Sequence, residues 1–159
     1  MVFKKILVAV DRSNLTSVVF EQALDLAEKD QACLMIFHCF TEVVLEPLIE
    51  SGTGLDWYQP DVGVFHPLET EIMQTEIEGI KQWLQSYYQK AQDKGVISQY
   101  DHQAGNPDST ICKVAKEWGA DLIVVGRKHH NQLTELLTGS VSNYVVHHAH
   151  CSVLVVKQV

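Results

Sequence analysis

Positive charge is what this sequence has least of. Twelve Lys and Arg stand against twenty Asp and Glu, a formal charge of −8 over 159 residues. Nucleic acid and anionic membranes are gripped through a basic face, so neither is an expected partner. Long hydrophobic runs are missing as well. The first, Ile6–Val10, ends at Asp11, far short of the ~20 residues that span a bilayer, and it has no secretory cleavage site. Only four cysteines occur, Cys33, Cys39, Cys112 and Cys151, with no Cys-x-x-Cys pair. Free thiols in a reducing cytoplasm are the expectation. Nine Gly and four Pro are too few for a collagenous or low-complexity chain. Several catalytic signatures are also lacking. There is no Gly-x-Ser-x-Gly elbow, no Walker loop, no His-Glu-x-x-His and no Gly-x-Gly-x-x-Gly after the first apolar run. An enzyme is therefore not expected.

What is present is an alternation. Hydrophobic residues make up 46% of the chain and charged residues 20%, enough for one globular domain over 1–159. Five apolar runs, Lys4–Val10, Ala32–Phe40, Val96–Ala104, Leu122–Val125 and Ser152–Val156, read as strands covered on both faces. Helical periodicity lies between them. Ser13 is placed to cap a helix carrying Leu15, Val19, Ala23 and Leu26. Met73, Ile77, Ile80, Leu84, Tyr87 and Ala91 form a stripe over 67–94 that Gly95 closes. Asn106-Pro107 opens a third helix and Gly119 stops it; a fourth follows Gly139-Ser140. Strand alternating with helix predicts an α/β fold with a doubly wound, five-stranded parallel sheet, helices on both faces. Residues 41–66 form a long irregular insertion carrying Trp57 and Tyr58, a stretch suited to a lid or a partner surface.

Such sheets bind ligands beyond the carboxyl ends of their strands. The turn after the first run offers Asp11, and the one after the fourth runs from Gly126 to the helix start at Gly139-Ser140. Free amides at that start, two hydroxyls, and Arg127 and Lys128 nearby suit an anion such as phosphate. Asp11 could hold ribose hydroxyls, hold Mg²⁺, or simply cap a turn. His147, His148, His150 and Cys151 crowd together, yet adjacent helical residues diverge by ~100° and no second cluster completes a metal site. Ser140 and Ser142 lack a base partner, which argues against a nucleophilic role. Trp83 and Trp118 fall on apolar helix faces and are expected in the core.

The segments ILVAVD, GNPDSTICKVAKEWGADLIVVG and GSVSNYVVHHAHCSVLVVK resemble the universal stress protein family over nearly the whole chain outside 41–66. That family's nucleotide-binding members carry Gly-x2-Gly-x9-Gly-(Ser/Thr). Here the pattern is Gly126-x2-His129-x9-Gly139-Ser140, with the second glycine replaced by histidine. The resemblance implies a cytoplasmic, homodimeric, Rossmann-like stress-response protein that binds ATP, or ADP or AMP, with Mg²⁺ at the phosphates. It places the adenine and ribose against Ala9, Val10, Asp11 and Cys39, and the phosphates against Val125, Gly126, Gly139, Ser140, Val141 and Ser142; the charge of Arg127 and the imidazole of His129 are further candidates to meet the phosphates. The alternative is a nucleotide-free dimer whose site His129 has weakened; slow ATP hydrolysis is a third. The apolar Ser152–Val156 strand, if at a sheet edge, is the expected dimer contact.

Overall fold

The computed structural model describes residues 2–41, 67–127 and 139–157. In chain order the elements are β1 (Lys5–Ala9), α1 (Thr16–Asp30), β2 (Cys33–Phe40), α2 (Pro67–Asp93), β3 (Ser98–Ala104), α3 (Pro107–Trp118), β4 (Leu122–Arg127), α4 (Ser140–His148) and β5 (Ser152–Lys157). All five strands are parallel, in the order β3-β2-β1-β4-β5. The chain winds outward from β1 in one direction to β3, then returns to lay β4 on the other side. The reversal therefore lies between β1 and β4.

Side chains alternate across a strand, and here both sets are apolar. Ile6, Val8, Leu34, Ile36, Leu122 and Val124 pack under α1 and α2. Leu7, Met35, Phe37, Ile123 and Val125 pack under α3 and α4. This two-sided burial explains why β1, β2 and β4 read as unbroken apolar runs rather than as alternation. β3 differs. Its sequence SQYDHQA is polar and no residue in it is buried, because it is a sheet margin covered on its inner face by α2. Only Val96, before the strand, joins the core.

The helix boundaries follow local chemistry. Gly95 and Gly119 adopt φ of 73° and 75°, the left-handed turn that ends α2 and α3. Pro107 occupies the first turn of α3, as expected, although Asn106 makes no side-chain cap. Ser13 does not cap α1, contrary to the sequence expectation. Its N–H and its hydroxyl both donate to Asp11 Oδ1, and the helix starts three residues later at Thr16. The Asp11 carboxylate forms a turn of its own and takes Ser13 out of contention. The buried face of α1 is accordingly Val19, Phe20, Ala23, Leu24 and Ala27; Leu26 lies at its margin. On α2, Ile80, Leu84 and Ala91 are buried, whereas Met73 is exposed.

Candidate functional site

The carboxyl ends of β1, β2 and β4 open into a cavity of about 410 Å³. Ala9, Val10 and Asp11 enter it from β1 and its following turn, Phe37 and Cys39 from β2, and Val125 and Gly126 from β4. Gly139, Ser140, Val141 and Ser142 close one side, Pro107 and Ile111 another, and Ser13, Leu15, Thr16 and Val19 a third. Ten of the twelve expected site residues thus meet around one space. Arg127 stands beside it, its Cγ 3.5 Å from where a Cβ on Gly139 would lie. His129 falls outside the described residues, as do Lys128, Trp57 and Tyr58.

Asp11 is held by its own turn. Oδ1 accepts from the Ser13 N–H at 2.9 Å and from the Thr16 hydroxyl at 2.7 Å, while the Asp11 N–H donates to Thr16 Oγ1 at 3.1 Å. Thr16 is buried, and this pairing satisfies it. Asp11 is at once the expected turn carboxylate and a wall of the cavity.

Val10 is fixed from both sides. Its N–H donates to the Phe37 carbonyl at 2.9 Å, and its carbonyl accepts from His38 Nδ1 at 2.8 Å. Because the acceptor is a carbonyl, Nδ1 carries the proton. Burial pushes the His38 pKa below its ordinary 6.5; the Val10 bond opposes the shift and the Arg12 charge adds to it. Cys39 donates its thiol to the Gly105 carbonyl at 3.5 Å, and burial raises its pKa. The thiol is thus a neutral wall at physiological pH.

Across the cavity α4 begins at Gly139, with φ of 73°. Among the described residues no side chain caps this end. The first-turn amides of a helix have no partner within it, so Ser140, Val141 and Ser142 bring donors and a positive dipole end to the cavity. The Ser142 hydroxyl turns back to the Gly139 carbonyl at 3.1 Å. Gly126 also has a packing reason to be glycine. A Cβ there would sit 2.8 Å from Val19 Cγ2 and 3.0 Å from Leu15 Cδ2, so the glycine admits α1 as well as bordering the cavity.

Sequence reasoning missed Phe37, Thr16, Pro107 and Ile111 as cavity residues. A strand-end rule points to the last residues of β1 and β4 and not to those a neighbouring helix contributes. Trp83 and Trp118, expected in the core, are partly buried and pack against it from outside. Among the described residues no group of three or more His, Cys, Asp or Glu could hold a metal ion. His148 Nδ1–H donates to the Tyr144 carbonyl at 2.9 Å, and His150 Nε2–H donates to the Ala120 carbonyl at 3.0 Å. All four cysteines are free, and no helix among the described residues is long and apolar enough to cross a membrane.

Comparison with known proteins agrees with this architecture. The model of the universal stress protein family matches residues 2–157. A universal stress protein of Synechocystis sp. is 37% identical over 159 residues, covering 99% of both chains. The protein YxiE of Bacillus subtilis, also a universal stress protein, is 36% identical, covering 98% of this chain and 99% of its own. Among solved structures, UspA from Lactobacillus plantarum superposes with a TM-score of 0.74 at 25% identity, over 98% of this chain and 99% of its own. A universal stress protein in complex with cAMP gives 0.67 at 19% identity, over 98% of each chain. A family member from Arabidopsis thaliana with AMP bound gives 0.63 at 20%, over 98% of this chain and 92% of its own. This chain belongs to the universal stress protein family.

Proposed function

We propose that the cavity binds an adenine nucleotide and that the protein acts as a ligand-controlled regulatory module of the stress response rather than as an enzyme. The observation that carries this reading is the meeting of the Val10–Asp11 turn and the uncapped start of α4 across one cavity. Ala9, Val10 and Cys39 offer a mainly apolar wall to a flat base, with Asp11 at the ribose. Gly126, Gly139 and the amides of Ser140–Ser142 suit phosphates, with Arg127 and His129 contributing charge. The nucleotides in two structural neighbours, AMP and cAMP, are of the same class. ATP is the proposed ligand, with ADP and AMP as weaker ones. Oδ1 of Asp11 already accepts hydrogen bonds from the turn, so Mg²⁺ enters with the phosphates rather than as an ion held by the protein. Regulation requires that the ligand favour one state over another, and the 41–66 segment or a subunit contact would report that difference.

Titration calorimetry with ATP, ADP and AMP, with and without Mg²⁺, tests the reading. The expected result is saturable binding well below millimolar nucleotide. No heat at millimolar concentration rejects it and leaves a nucleotide-free protein working through contacts with other proteins.

We further propose a cytoplasmic homodimer joined through β5. This strand is a sheet margin, and Val153, Leu154 and Val155 are only partly covered. Unpaired backbone groups beside apolar side chains invite a second strand, and a two-fold axis would satisfy both copies. Sedimentation at micromolar protein is expected to give twice the 17.9 kDa chain mass. A profile at the chain mass overturns the dimer.

A further inference from the structure

Strand pairing between β1 and β2 ends at Ala9 opposite Phe37. One residue later, the Val10 N–H still reaches the Phe37 carbonyl, but the Val10 carbonyl lies beyond the paired register. There a side chain takes over: His38, 7% exposed, donates Nδ1–H to the Val10 carbonyl at 2.8 Å. The ring is wedged by aromatic neighbours, with its centroid 5.0 Å from Trp83 in an edge-on arrangement and 6.4 Å from Phe40. Among the described residues, the charged and titratable groups around it are Asp11 and Arg12 on the β1–α1 turn and His102 on β3; α2 presents the Trp83 ring. Arg12 itself lies over Trp83, its guanidinium carbon 5.9 Å from the ring centroid.

We infer that His38 is a positioning residue: through the Val10 carbonyl it sets the turn that walls the nucleotide cavity. This rests on the nucleotide reading above. The neutral ring suits its site, where burial and the cation of Arg12 oppose a second proton. His38 does not itself border the cavity, whereas Val10 and Asp11 do, so its effect on a ligand passes through the turn. Between the depressed native pKa and the unfolded value of 6.5, the unfolded chain binds more protons, so stability declines as pH falls below 6.5.

Two variants separate anchoring from bulk. His38→Asn keeps an N–H donor at the position of Nδ1 and does not titrate. His38→Leu keeps volume and loses the donor. AMP affinity is measured by calorimetry at about pH 7.5, above the ordinary histidine range. His38→Asn is expected within about threefold of wild type, and His38→Leu about tenfold weaker, the scale of one lost hydrogen bond. Equal affinity of His38→Leu and wild type, or a loss in His38→Asn as large as that in His38→Leu, overturns the inference. A wild type that binds no AMP removes the nucleotide reading and this inference with it, whereas a wild type that binds with unaffected variants removes the inference alone. Should His38→Leu fail to fold, His38→Phe, which also lacks the donor and keeps a ring, takes its place.

Discussion

Phe37→Ala should lower the unfolding free energy by about 3–5 kcal/mol, the usual cost of emptying a buried aromatic site. Phe37 is fully buried, belongs to the cluster under α3 and α4, and also borders the ligand cavity. Against a total stability of about 5–15 kcal/mol, that loss is a large fraction, and urea denaturation would register it as an earlier midpoint. The new void opens onto the cavity, so nucleotide affinity should fall as well. Phe20→Ala is the comparison. Phe20 is as fully buried, with its ring 4.7 Å from Tyr87, but it projects from α1 into the cluster on the other face of the sheet and does not border the cavity. It should cost similar stability and leave affinity nearly unchanged below the unfolding transition. Equal affinity loss in both variants would show that the cavity is not the binding site.

Gly139→Ala should weaken nucleotide binding by at least about tenfold, because the amides of α4 would shift. The residue has a φ of 73°, and a Cβ would lie 2.6 Å from Ser142 Oγ, whose bond to the Gly139 carbonyl shapes the first turn. Backbone strain alone cannot produce this result, and Gly119 provides the control. Its φ is 75°, a Cβ there would meet nothing within 4 Å, and it ends α3 rather than bordering the cavity. Gly119→Ala should therefore lose about 1–2 kcal/mol of stability, the ordinary cost of the left-handed region, with affinity intact. Calorimetry on the two variants checks the contrast; matched affinities would refute a phosphate role for the α4 start.

How far the amino-acid order disclosed these features depended on whether the cause was local. Gly95 and Gly119 marked helix ends because a left-handed residue is required where they stand. β1, β2 and β4 were legible because burial on both faces leaves no polar side chain in them. β3 was placed correctly but for a reason that does not hold, since only Val96 of that segment is core and the strand itself is polar. The start of α1 was misjudged because the Asp11 carboxylate engages both the N–H and the hydroxyl of Ser13, which leaves that hydroxyl in a turn rather than at the helix end. At the cavity, Asp11, Gly126 and Gly139–Ser142 were readable from strand ends and a helix start. Phe37, Ile111 and His38 were not. Their roles arise only when β2 and α3 are laid beside β1, a matter of long-range packing that no short spacing encodes.

The two flanks of the sheet are chemically unlike. One ends in SQYDHQA, whose amide, acidic and imidazole groups are at ease in water; the other ends in SVLVVK, greasy through its middle. A ribbon sticky at both borders could add copy after copy without limit. Joining through the greasy border consumes it in both participants and leaves only wettable rims facing outward. Growth would then halt at two, which guards a strand-rich protein against runaway fibre formation.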